Sequence, residues 1–226
     1  EPQVLIAHPD TGIETFEDLT KVPTIFMGAE IFASTFQWMK STFPGFRDEQ
    51  YKPYGFNPGP FLADKNSAQQ GYVTSEPFAI EQQGGFKPKV FLLADVGFNT
   101  QSTMIEVRRD YLDANRDIVQ RFADASIIGW YNYLYGDNTA ANALIKAENP
   151  EMTDAQLAFT LAALKEHGMV DSGITETKGI GCFDDDQVQS FYDKMVKAGV
   201  LKPGLDVKAL YTNEFVCKGV GLDLRR

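Results

Sequence analysis

The 226-residue sequence predicts an α/β protein with a mostly parallel sheet flanked by helices, followed by a mainly helical C-terminal region. Short apolar runs alternate with helical stretches as far as Asp95, whereas beyond it helical periodicity dominates. Gly, Pro and capping residues fall between the two kinds of segment, where chain reversals need them.

Val4-Leu5-Ile6-Ala7 is a short run suited to a buried strand, broken by Pro9-Asp10-Thr11-Gly12. One helical turn over Thr15 to Leu19 precedes a second buried strand, Thr24 to Met27. Phe32, Phe36, Met39 and Phe43 then form an amphipathic stripe that Pro44-Gly45 ends. Tyr51 to Tyr54 reads as a weak strand, Pro60 to Asp64 as a short helix and Gly71 to Thr74 as a strand. Pro77 opens a helix from Phe78 to Gln83, and Lys89 to Leu93 is a further strand. Ser102 to Val107 reads as one more strand. Ile118, Phe122, Ala125 and Ile128 mark a long amphipathic helix running to about Tyr135. Asn138 caps a helix from Thr139 to Glu148. Thr153 and Gln156 form a capping box for another that stops at Gly168, and a last helix runs from Asp185 to Ala198 before Gly199.

Charge and composition narrow the function. A net charge of −10, with basic residues only in scattered pairs such as Arg108-Arg109, argues against a nucleic-acid partner. No apolar stretch reaches the ~20 residues that span a bilayer. The chain begins at Glu1 rather than Met, so the lack of a signal peptide is silent about compartment. Cys182 and Cys217 fit no zinc site, and their pairing is left open as a matter of redox compartment. His8 lies at a strand end and His167 in the last turn of a helix, and nothing places them together. No phosphate loop or serine elbow occurs, and Asp184-Asp185-Asp186 reads as a helix start rather than a metal site. No catalytic residue, metal or cofactor is therefore assigned.

Ligands of open α/β sheets bind at the carboxyl ends of the strands. Three loops there carry small residues beside hydrogen-bonding ones: Gly28-Ala29-Glu30, Thr74-Ser75-Glu76 and Phe98-Asn99-Thr100. They are the candidate ligand-binding residues, with Glu76 accepting from a ring amino group and Phe98 covering the ring face. No Arg lies in these loops to pair with a buried anion.

In order, these segments resemble the NMT1/THI5-like branch of type II periplasmic binding proteins. Gly12-Ile13 with Phe16-Glu17-Asp18-Leu19 resembles the start of the second lobe, although Thr20-Lys21-Val22 lacks the usual Gly-Lys. Gly71 to Pro77 resembles a strand ending in a ligand-facing acidic residue, and Asn115 to Trp130 a helix with Phe122 and Ala125 in place. Tyr211-Thr212-Asn213-Glu214-Phe215 is the most specific piece. The resemblance implies residues 1–14 as the end of a first lobe, 15–94 as a second lobe and 95–226 as the return, with the N-terminal part of the first lobe lacking. It implies the binding component of an ABC importer, periplasmic or extracellular at the membrane. Such a protein captures a small molecule between its lobes and delivers it to a membrane permease. Among the ligands the resemblance implies, loops without Arg favour a pyrimidine or thiamine-precursor-like heterocycle over nitrate or a sulfonate. Two alternatives share the fold. One is a hydroxymethylpyrimidine synthase-like enzyme, whose cysteine-rich loop is absent at Gly97 to Gln101; the other is the effector domain of a transcription regulator.

Overall fold

The computed structural model describes residues 1–225. They form two compact units, one of Glu1–Thr100 with Asp186–Leu205, the other of Gln101–Asp185 with the chain from Asp206 onward. The expected boundaries at residues 14 and 94 do not coincide with these units. The first strand lies inside the sheet of the first unit, and a late helix returns to that unit.

The first unit holds a five-stranded sheet of order β3-β2-β4-β1-β5. Its strands are β1 (Gln3–Ala7), β2 (Thr24–Met27), β3 (Tyr51–Pro53), β4 (Ser67–Tyr72) and β5 (Lys89–Leu92). β2 is parallel to β3 and β4, while β1 is antiparallel to both β4 and β5. Four strands thus run one way and β1 alone is reversed. Its Val4 to Ala7 are all buried, as an unbroken apolar run covered on both faces requires. Pro53 sits in β3, an edge strand, where its missing N–H breaks no ladder.

Helices α1 (Ala29–Ala33) and α2 (Thr35–Thr42) divide the expected single helix at Ser34, whose hydroxyl donates to the Glu30 carbonyl at 2.6 Å. Phe36, Trp38 and Met39 of α2 pack into a core with Leu5, Ile25, Met27 and Leu93. α3 (Gly59–Ala63) and α4 (Glu76–Gly84) follow β3 and β4. α10 (Asp185–Lys197) contributes Met195 to the same core, with Phe191 against it.

The second unit is helical: α5 (Arg109–Ala114), α6 (Arg116–Tyr135), α7 (Thr139–Glu148), α8 (Asp154–Glu166) and α9 (Thr175–Lys178). Thr153 caps α8 as expected, its hydroxyl accepting the Gln156 N–H at 3.1 Å. Two expectations fail here. Ser102 to Val107 is not a strand. No strand among the described residues pairs with it, and Met104 and Ile105 are exposed. The buried stripe of α6 is Ala123, Ile127, Tyr131 and Leu134, while Ile118, Phe122 and Ile128 are exposed. α6 is apolar on two sides, so periodicity could not choose between them.

The chain's last stretch is tied down at several points. Cys182 and Cys217 form a disulfide, with Cα atoms 4.8 Å apart. The Asn213 side chain accepts the Phe183 N–H at 2.9 Å and donates back to the Phe183 carbonyl at 3.0 Å. Tyr211 donates to Asp185 at 2.6 Å, and Glu214 pairs with Arg116. The Arg116 guanidinium also lies over the Phe215 ring. Every side chain of the Tyr211 to Phe215 motif singled out in the sequence, Thr212 included through its bond from the Glu214 N–H, thus has a partner within this unit.

Candidate functional site

Because β2, β4 and β5 run the same way, their C-terminal ends Met27, Tyr72 and Leu92 share one edge of the sheet. The reversed β1 begins at this edge, and Gln3 lies opposite Tyr72. Along β4 the side chains alternate, so Ala68, Gln70 and Tyr72 share one face and Gln69 and Gly71 the other.

A narrow notch opens at this edge, lined by Gln3, Thr35, Gln70 and Tyr72 over an apolar floor that includes Leu5 and Met27. Its free space, about 10 Å³, is the room of roughly one water. The Gly28 N–H donates to Gln70 Oε1 at 2.7 Å, joining the end of β2 to β4. The Thr35 hydroxyl donates to Gln3 Oε1 at 3.1 Å. Both amides are therefore held by their oxygens. Tyr72 is 48% exposed, and burial, with Glu1 and Glu76 nearby, raises its hydroxyl above the ordinary phenol range.

The expected site residues divide. Gly28, Ala29 and Glu30 follow β2, and Thr74, Ser75 and Glu76 follow its neighbour β4. Ala29, Glu30 and Ser75 are exposed, while Gly28, Thr74 and Glu76 are half-buried. Glu76 is committed locally: its carboxylate accepts the Tyr72 N–H at 2.7 Å, and its stem packs on Gly71. A Cβ at Gly71 would come within 2.7 Å of the Glu76 Cβ, so only glycine lets the helix start approach the strand this closely. Behind the sheet, Tyr54 sits against Gln69 and Glu76; burial, then the Glu76 charge, pushes its hydroxyl up to about 12. Gln69 is fully buried, with neither amide atom in hydrogen-bond geometry.

The third loop is a correction. Phe98 is 3% exposed, its ring tilted on Trp38 at 5.0 Å and edge-on to Phe191 at 5.2 Å. That ring belongs to the core and offers no face to a ligand. Asn99 is exposed and accepts from Gln187 of α10 at 3.0 Å, and Thr100 is half-buried. The loop is fastened to α10, whose Lys194 also donates to the Gly97 carbonyl. Residues that sequence reasoning passed over, Gln3, Thr35, Gln70 and Tyr72, form the notch instead. Two glutamines in short strands carry no motif, so only their register could have revealed them.

The histidines take structural places. His8 is buried, stacked on Phe61 at 4.2 Å with Nε2 donating to the Phe61 carbonyl at 2.7 Å. His167 ends α8. A wider depression of about 410 Å³ lies on α10 between Asp186, Asp193 and Lys197, open and lined by one helix's charged surface.

A protein family described as NMT1/THI5 like matches residues 1–141, which include the whole sheet. The chain belongs to the NMT1/THI5-like family. Its fold is accordingly that of the type II periplasmic-binding proteins. Riboflavin-binding protein RibY of Chloroflexus aurantiacus is 29% identical over 159 residues, which cover 70% of this chain and 44% of the relative. The chain thus spans less than half the length of that relative. The relative's own name is that of a solute-binding protein. No helix among the described residues is long and apolar enough to cross a membrane.

Proposed function

We propose that this protein is the solute-binding component of an ABC importer, acting outside the cytoplasm and holding a flat nitrogen heterocycle at the carboxyl edge of its sheet. The observation that carries the ligand class is the chemistry of the notch, in which two tethered amides, a hydroxyl and a tyrosine ring occur without a cationic side chain. Amide groups and an aromatic face satisfy a neutral heterocycle's edge and plane. A buried nitrate or sulfonate would need Arg, Lys or open helix amides. Helix starts here are poor anion sites. Glu30 lies in the first turn of α1, and α4 begins with Glu76 followed by Pro77, which has no N–H.

The name of the relative supports the same class, since a flavin ring is a flat nitrogen heterocycle, as is the pyrimidine of a thiamine precursor. Gly28, Ala29, Glu30, Thr74, Ser75 and Glu76 frame the site in this reading, and Glu76 positions Tyr72 rather than pairing with the ligand. The Cys182–Cys217 bond supports an oxidising compartment.

Calorimetric titration of the protein as its gene encodes it tests the proposal, using riboflavin, the aminopyrimidine precursor of thiamine, nitrate and an alkyl sulfonate. Saturable binding of at least one heterocycle is expected. Binding of the oxyanions alone would refute the ligand class.

A further inference from the structure

We propose that Gln70 sets the ligand specificity of this protein by offering its side-chain NH₂ to a ring carbonyl, so that the notch selects rings with a carbonyl edge over aminopyrimidines. The inference rests on the reading of the notch as the solute site and goes further, naming the ligand edge that the notch reads.

The orientation of the Gln70 amide follows from its partner. A backbone N–H can only donate, so the group 2.7 Å from the Gly28 nitrogen is the amide oxygen. The NH₂ is then the end left over. It has no hydrogen-bond partner among the described residues, although Gln70 is half-buried and lines the notch. Gln3 is built alike, with its oxygen engaged by the Thr35 hydroxyl. Both glutamines line the same small space, and the Gln70 amide is the one whose orientation a backbone N–H fixes. A tethered donor facing a partly desolvated space discriminates by what it meets. A carbonyl oxygen satisfies it, whereas an exocyclic amino group sets donor against donor and leaves both unpaired.

The size of the notch agrees. Room for about one water accommodates one projecting ring-edge atom and not a whole ring. The plane of the ring is left to the half-exposed Tyr72, at the end of the same strand face. Pyrimidine-2,4-dione rings, free or fused as in a flavin, carry two carbonyl oxygens, either of which supplies the projecting atom. Cytosine replaces one of them with an amino donor, and the aminopyrimidine precursor of thiamine has an amino donor and no ring carbonyl.

Gln70→Glu tests the idea with little change of shape. The carboxylate keeps an acceptor for the Gly28 N–H and turns the donor into a second acceptor. Affinities for lumichrome and uracil (diones) and for cytosine and the aminopyrimidine precursor of thiamine are measured on wild type and variant. Trp38 fluorescence checks that both are folded. Wild type is expected to bind a dione more tightly than either amino ring. Gln70→Glu should weaken dione binding at least tenfold and leave amino-ring binding equal or tighter. Gln70→Met, which removes the donor without adding charge and also gives up the acceptor of the Gly28 N–H, should weaken dione binding alone. The inference is overturned if wild type binds amino rings as well as diones, or if both variants bind diones within twofold of wild type. Failure of wild type to bind any heterocycle would instead overturn the functional reading, and this inference with it.

Discussion

Replacing Phe98 with Ala should destabilise the sheet-bearing unit and leave the ligand affinity of the folded protein intact. The ring is 3% exposed and packs on both Trp38 and Phe191. Truncating a buried phenylalanine costs about 3–5 kcal/mol from lost transfer energy and the cavity left behind. With a urea dependence of about 2 kcal/mol per molar, a loss of about 4 kcal/mol lowers the unfolding midpoint by about 2 M. Trp38, itself 3% exposed, is a built-in reporter 5.0 Å from the altered ring. Substituting the partly exposed Trp130 of the helical unit by Phe in the reference protein leaves Trp38 as the sole tryptophan. Urea titration followed by Trp38 emission reads the midpoint, and calorimetry at zero denaturant reads the affinity. An unchanged midpoint with collapsed ligand binding would refute the reasoning, because it would place the ring at the ligand.

Two further outcomes are expected. Breaking the Cys182–Cys217 bond, which closes a sequence separation of 35, should cost about 4 kcal/mol on the chain-entropy account. Urea midpoints of reduced wild type and of a double Cys→Ser variant should both fall and coincide; a midpoint indifferent to reductant would sink the claim. The Tyr211 hydroxyl, donating to Asp185, is held up to about 12 against an ordinary 10.0. Its contribution is whole below pH 10 and is lost as the pH rises toward 12, since only the protonated phenol can donate. Tyr211→Phe should therefore abolish part of the alkaline loss of stability, and the tyrosinate absorbance titration should lose a late-ionising group. A variant whose alkaline profile overlays wild type would show that the bond is not formed.

Local signals were legible in the sequence. Thr24 to Met27 and Lys89 to Leu93 read as strands from their apolar runs, the second ending one residue earlier in the structure, and Thr153 read as a cap because its partner Gln156 is three residues away. What escaped depends on distant partners. Ser102 to Val107 has strand composition but no neighbouring strand to pair with. Phe98 sits in a loop, where an aromatic looks free until α10 returns more than eighty residues later to cover it. Two of the three expected loops do fall at one sheet edge, because strand direction follows from the alternation of strands and helices. Gln3 and Gln70 come to line one notch only through the reversed placement of β1, a fact of register.

The bond between Cys182 and Cys217 closes a covalent ring, and α10 lies inside it. The ring leaves the helical unit at Cys182, visits the sheet-bearing unit through Asp186–Leu205 and comes home at Cys217. A protease attacking the exposed residues between Leu201 and Asp206 would therefore open the loop without releasing either piece. The nicked protein should migrate as one species until a reductant is added, and then as two. Pulled at its two termini, the same chain would keep these residues slack. Force would pass through the sulfur–sulfur bond and bypass α10, so the helix would stay shielded from mechanical load for as long as its compartment remains oxidising.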